Sequence, residues 1–215
     1  MKNNKLITAI AVVVNLVLSA CGVSVAVGEK NEEHFDTEGI TAIHIYEDVQ
    51  DVSIVSSKSD KIDVTYYESS AKKYSIVTRN GVLSICGTTD RSVINQNQSL
   101  IVSVPPTYAG ALSVQVETGN CTISTDVTLT TVKVILETGN ISIERLNSND
   151  IYLSASTGNI SGILTGDRSD YTISSRYGTG TSNLSDQIVD DSNKSLFVEV
   201  DTGAIDIMFT NEKKR

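Results

Sequence analysis

No tryptophan occurs in this chain of 215 residues, and histidine, proline and cysteine number only two, two and three. Each scarcity excludes something. With His34 and His44 the only imidazoles and no Gly-x-Ser-x-Gly elbow, a Ser-His-Asp triad has no support. Ser69-Ser70-Ala71-Lys72 fits Ser-x-x-Lys, but no Lys-Thr-Gly accompanies it, and the stretch reads as a solvated turn. Two histidines and three scattered cysteines cannot form a C-x-x-C or H-E-x-x-H zinc site, so no cofactor is expected. Basic residues are also short, 17 Lys+Arg against 26 Asp+Glu, for a net charge of −9. Such a chain repels phosphate and offers few cations for counterion release, which argues against nucleic acid. What remains is a chain that is 40% hydrophobic, enough for a core.

The first twenty residues read as an address. Lys2 and Lys5 precede an apolar stretch from Leu6 to Ala20, the anatomy of a secretory signal. Leu18-Ser19-Ala20-Cys21 resembles the bacterial lipobox, which makes Cys21 the expected site of lipid attachment and the first residue of the mature chain. An uncleaved anchor is the alternative, since Leu6 to Val27 carries no charge and is long enough to span a bilayer. Either reading places the remainder outside the cytoplasm and tethered to a membrane. The expected layout is a signal over residues 1–20, a lipid-anchored linker over 21–38, one domain over 39–210 and a polar tail over 211–215.

From Ala111 onward the chain repeats. Val116-Glu117-Thr118-Gly119-Asn120-Cys121 returns as Leu136-Glu137-Thr138-Gly139-Asn140-Ile141, then as Ala155-Ser156-Thr157-Gly158-Asn159-Ile160. Tyr177-Gly178-Thr179-Gly180-Thr181 is a degenerate copy, and Val200-Asp201-Thr202-Gly203-Ala204-Ile205 is the last. A period near twenty residues signals a solenoid. Within each repeat the apolar period is two, as in Leu112/Val114/Val116, Val132/Val134/Leu136, Ile151/Leu153/Ala155, Ile173/Ser175/Tyr177 and Leu196/Val198/Val200. One face of each strand is thus buried and the other wet. Thr-Gly-Asn suits a tight corner, with Gly at positive φ and Asn tolerant of αL.

The stretch from Ile40 to Thr107 is β as well but less regular, with Asn80-Gly81 marking a hairpin and Pro105-Pro106 closing its last run. The expected fold is all-β, a right-handed single-stranded β-solenoid (β-helix) with coils of about twenty residues. A meander of hairpins, each with Gly at the αL position, is the rival architecture.

A Leu-x-Val-x-Val-Pro-Pro-x-Tyr-like step (Leu100 to Tyr108), the Thr-Gly repeats, a late Tyr-Gly-Thr-Gly and a closing Leu-x-Val-x-Val-x-Thr-Gly-x-Ile (Leu196 to Ile205) occur in order. In that order they resemble the bacterial putative-adhesin family of β-strand repeats, over roughly residues 40 to 209. The resemblance implies surface exposure and a binding or envelope-monitoring role, without catalytic residues to transfer.

Few residues stand out as sites. Glu117 and Glu137 would stack in adjacent coils, either as a Ca²⁺ site or as a solvated acidic edge. Cys121 reads as a small buried hydrophobe, and a Cys86–Cys121 disulfide is chemically open outside the cytoplasm. Ile135, Tyr152 and Phe197 are apolar groups on the wet face and form a candidate partner surface for a protein or glycan. A polysaccharide-active enzyme and a purely structural spacer remain as alternatives to a non-enzymatic surface lipoprotein.

Overall fold

The structure is a computed structural model that describes residues 25–26, 28–90, 94–95 and 99–211, so Cys21 and the signal stretch lie outside the described residues. Alternating apolar and polar residues give strands almost throughout. The first nine are β1 (Val25–Ala26), β2 (Glu29–Asp36), β3 (Ala42–Val49), β4 (Val52–Ser56), β5 (Lys61–Glu68), β6 (Lys72–Arg79), β7 (Val82–Thr89), β8 (Ile94–Asn95) and β9 (Leu100–Val104). The repeats supply β10 (Ala111–Thr118), β11 (Cys121–Thr138), β12 (Ile141–Thr157), β13 (Ile160–Leu164), β14 (Tyr171–Ser182) and β15 (Lys194–Phe209). No α-helix occurs among the described residues; a single 3-10 turn, Arg168–Asp170, is capped by Asp167.

Strands from successive coils pair in parallel and build two walls, except at one end, where β6 on β7, β5 on β9 and β2 on β5 pair antiparallel. The first runs β6, β7, β3, β10, the later parts of β11 and β12, the start of β15, then β14. The second runs β2, β5, β9, β4, the early parts of β11 and β12, β13 and the end of β15. Parallel partners excludes the meander of hairpins within the repeats. Register then aligns apolar residues in columns. Ile43, Leu112, Val132, Ile151, Leu196 and Ile173 share one row of the first wall, and each is at most 2% exposed. Val52, Cys121, Ile141, Ile160 and Ile205 form a matching row in the second. Full burial of each aliphatic contributes on the order of 1.5–3 kcal/mol, and no coil achieves it alone.

The structure adds the order of the coils and changes two expectations. The coils do not stack in chain order, because β15 lies between β12 and β14, leaving the degenerate repeat as the end of the stack. That repeat carries Ser175 and Tyr177 at inward positions, where an end coil needs less apolar surface. Glu29–Asp36, read above as linker, is strand β2, because its alternation lets it add to β5 from Asp36↔Lys61 to Glu29↔Glu68. Asn at the corners does not adopt αL, since Asn80 and Asp191 are the non-glycine residues with positive φ.

The corners work differently. Gly139 has φ 142°, in the mirror-extended region rather than αL, and its missing Cβ would lie 1.9 Å from Gly119 O. At Gly158 the same distance, to Gly139 O, is 1.8 Å, and Gly203 and Gly180 continue the column. Each glycine thus makes room for the carbonyl of the coil beneath. The asparagines bond upward beside them. Asn120 N–H donates to Asp51 Oδ1 at 2.7 Å, Asn140 N–H to Asn120 Oδ1 at 3.0 Å and Asn159 N–H to Asn140 Oδ1 at 2.8 Å. Ala204 N–H closes the ladder on Asn159 Oδ1 at 2.8 Å.

Gly139→Ala therefore meets a backbone oxygen that cannot rotate away, as well as an unfavourable φ. It should cost about 3 kcal/mol or more, against about 1–2 kcal/mol for Asn140→Ala, which unpairs the Asn159 N–H and removes one exposed donor to Asn120 Oδ1. Urea unfolding of both variants checks the order; equal effects would remove the glycine column as the tighter constraint.

Candidate functional site

The outward side of the first wall carries the best-formed side-chain assembly. Register places Lys133, Tyr152, Phe197 and Ser174 in one row, and Gln115, Ile135, Ser154, Glu199 and Arg176 in the next. Parallel strands hold equivalent residues about 4.8 Å apart, and the Tyr152 and Phe197 rings stack with centroids 4.9 Å apart and planes 5° from parallel. Lys133 Nζ lies 5.5 Å from the Tyr152 centroid and the Arg176 guanidinium 5.2 Å from that of Phe197. Cation, ring, ring, cation is an electrostatically complementary order. Each ring face is thus covered from within the chain. Tyr152 and Phe197 leave a sugar no open ring face to stack on, whereas their ring edges and half-buried Ile135 remain for a flat protein surface.

Glu117 and Glu137 fall beside this face in adjacent strands, as the register requires. Glu117 accepts a hydrogen bond from Tyr46 Oη at 2.5 Å, which pushes the Tyr46 hydroxyl up to about 12. No group of three or more His, Cys, Asp or Glu fit to hold a metal occurs among the described residues. Cys86 and Cys121 are both free thiols: Cys86 is half-buried, whereas Cys121 is fully buried, and burial raises its thiol to about 12.

Two polar clusters were not legible in the sequence. Lys72, from the turn read as solvated, is 1% exposed and points into the core. Its Nζ donates to Glu47 Oε2 at 2.5 Å, Asp48 Oδ1 at 3.1 Å and Thr89 Oγ1 at 3.2 Å. Gly87 makes the space, because a Cβ there would lie 2.3 Å from Glu47 Oε2. Glu47 Oε1 has no hydrogen-bond partner, and burial raises the Glu47 pKa despite Lys72. No motif marks this pair; Glu47 at an inward position of the Ile43/Ile45 alternation was the available signal. The second cluster surrounds an open cavity of about 240 Å³ lined by Ser124, Thr125, Asp126, Glu144 and Arg145, where bulges shift the register of β11 and β12. Both carboxylates there are engaged, Asp126 by Arg145 and Glu144 by Ser124 Oγ at 2.7 Å.

A parallel β-solenoid with hydroxyl, carboxylate and aromatic rows on its outer walls defines a class, and the comparisons supply the family. The Toastrack DUF4097 model matches residues 40–163, and the chain belongs to that family. Among solved structures, a putative cell adhesion protein from Clostridium sporogenes ATCC 15579 is similar with TM-score 0.62 at 12% identity, covering 85% of this chain and 100% of that one. A putative adhesin from Bacteroides fragilis NCTC 9343 gives TM-score 0.43 at 13% identity, covering 84% and 97% of the two chains. One from Parabacteroides distasonis ATCC 8503 gives 0.32 at 12%, covering 86% and 100%. The first likeness establishes a shared fold and nothing more. No curated protein matches the chain.

The Glu47 environment predicts a pH dependence. A carboxylate whose folded pKa is raised contributes stability below its unfolded value, and that stability is lost as pH rises through the folded pKa. Glu47→Gln abolishes this titration while Asp48 titrates in both proteins. The stability difference should therefore move in favour of the variant between about pH 4 and pH 7. Denaturant unfolding at both pH values checks it, and an unchanged difference would mean Glu47 is ionised without penalty.

Proposed function

We propose that the chain is a non-enzymatic cell-surface lipoprotein, anchored to the membrane through Cys21 on its extracytoplasmic side. Its solenoid, wound right-handed in coils of about twenty residues, binds a partner through the outward face of the first wall or monitors the envelope. The observation that carries the reading is the Lys133–Tyr152–Phe197–Arg176 ladder beside Ile135 on the outward face of the first wall. Rigid aromatics on a regular sheet form a pre-organised contact surface. Covered ring faces favour a protein partner over a glycan. The adhesion name of the Clostridium neighbour agrees with a surface role. Paired carboxylates in the bulge cavity, rather than a free acid and base, agree with binding rather than hydrolysis. No helix among the described residues is long and apolar enough to cross a membrane.

Two measurements test this. Cys21→Ser should leave the precursor unprocessed or release the protein from membranes, because the acyl chains are the tether. Normal size and continued membrane fractionation would favour the uncleaved anchor. Ile135→Asp with Tyr152→Ser should remove binding of the protein to intact cells by about tenfold or more with the fold retained. Undiminished binding would place the contact elsewhere, and hydrolysis of cell-wall glycan by the purified protein would overturn the non-enzymatic reading.

A further inference from the structure

The two ends of the stack are finished differently. At the β14 end, the chain folds back so that Ile173 exchanges backbone bonds with Gln187 at 2.8 and 2.9 Å, and the Asp186 carboxylate takes the Ser175 N–H at 2.8 Å. At the other end the walls stop at β6 and β2, which pair only with β7 and β5 respectively. Their outer edges have no strand partner among the described residues. Core side chains there are incompletely covered: Phe35 on β2 and Tyr74 and Ile76 on β6 are only partly buried. Val77 beside them is 54% exposed.

The charges on these two edges are opposite. β6 exposes Lys73 and Arg79 and no acid, whereas β2 carries Glu29, Glu32, Glu33 and Asp36 against Lys30. The edges are also staggered. Counting from the coil formed by β3 and β4, the first wall ends two strands further on and the second wall three. Joining two copies β6 to β6 and β2 to β2 would oppose like charges on both walls. It would also leave one joined wall two strands shorter than the other, a mismatch of about 10 Å. Joining β6 of each copy to β2 of the other makes both walls equal in strand number and brings opposite charges together twice.

We infer that this end of the solenoid is a homodimer interface in which β6 of one copy adds edge to edge to β2 of a second. The contact is isologous, so it closes at two copies and leaves the capped β14 ends free. An apolar centre from Phe35, Tyr74 and Ile76 within a charged rim is the anatomy of a specific interface. The alternative use of the same charges is to guard the edges against any pairing.

Reciprocal charge reversal in the full chain, purified in mild detergent and followed by sedimentation, separates the two. Wild type should dimerise, and Lys73→Glu/Arg79→Glu and Glu29→Lys/Glu32→Lys should each weaken self-association by about tenfold or more. Mixed together, the two variants should form a heterodimer, because each then meets the opposite charge on both walls. A chain carrying all four reversals should dimerise on its own, and circular dichroism establishes that every variant is folded. A monomeric wild type at about 100 µM would overturn the inference and assign the charges to edge protection. So would a dimer indifferent to the reversals, or folded variants that fail to restore each other.

Discussion

Everything in this fold depends on how closely one coil can approach the next at its corner. A carbonyl oxygen sits where a side chain would begin, 1.8–1.9 Å from the virtual Cβ of Gly139 and Gly158. Any other residue would push the coils apart, and the ladder bonds of both walls would lengthen together. The asparagine ladder is secondary, and the sequence treats it so. Glycine persists at 119, 139, 158, 203 and 180, whereas asparagine gives way to Ala204 and Thr181 in the last two coils of the stack. Ala204 still offers its N–H to Asn159 Oδ1 but passes nothing on. At the end of the stack few further N–H groups need an acceptor, so the side chain is dispensable while the glycine is not.

That hierarchy explains what could be read from sequence. Period-two columns and the corner glycines are imposed by burial and by sterics, so they are written at every repeat. The Asn80-Gly81 hairpin is equally local, with φ values of 51° and 77°. Coil order is not local. Leu196/Val198/Val200 fits against Ile151/Leu153/Ala155 no better by composition than Ile173 would, because every aliphatic column is compatible with every other. The clue lay in Ser175 and Tyr177, which are too polar for the middle of a stack, and Tyr177 is 52% exposed at its end. Strand β2 was masked by its charges, because an edge strand that buries little more than Phe35 looks like a linker.

The candidate site divides in the same way. Alternation alone placed Ile135, Tyr152 and Phe197 on the wet face, and the structure leaves them there. Ring stacking between Tyr152 and Phe197 needed the knowledge that β12 neighbours β15, 45 positions later, as Tyr152↔Phe197 shows. Arg176 joins them only because the degenerate repeat lies outside β15. Lys72 was misread for a different reason. Its neighbours Ser69 and Ser70 set the local composition, whereas its direction is set by Glu47 and by the absent side chain of Gly87.

A stack of parallel coils cannot finish itself, and the two finishes have different physical consequences. At the β14 end the polypeptide supplies its own closure through Gln187, so the exposed backbone is reduced by a single antiparallel bridge at Ile173 rather than by a further strand. At the opposite end the direction reverses, β6 against β7 on the first wall and β5 against both β9 and β2 on the second, and apolar columns fade outward. On the second wall Ile62 and Val64 are fully buried in β5, whereas the inward positions of β2 are Asn31, Glu33 and Phe35. Glu33 meets the Tyr66 hydroxyl at 2.7 Å, so the core ends in a charge-assisted hydrogen bond rather than in packing. On the first wall the same transition places Glu47 and Lys72 inside. A buried ion pair is weak evidence for stability but strict about geometry, since Lys72 reaches three acceptors only if β6 is docked on β7. The polar interior at this end thus fixes where β6 lies, and with it the edge that the molecule presents.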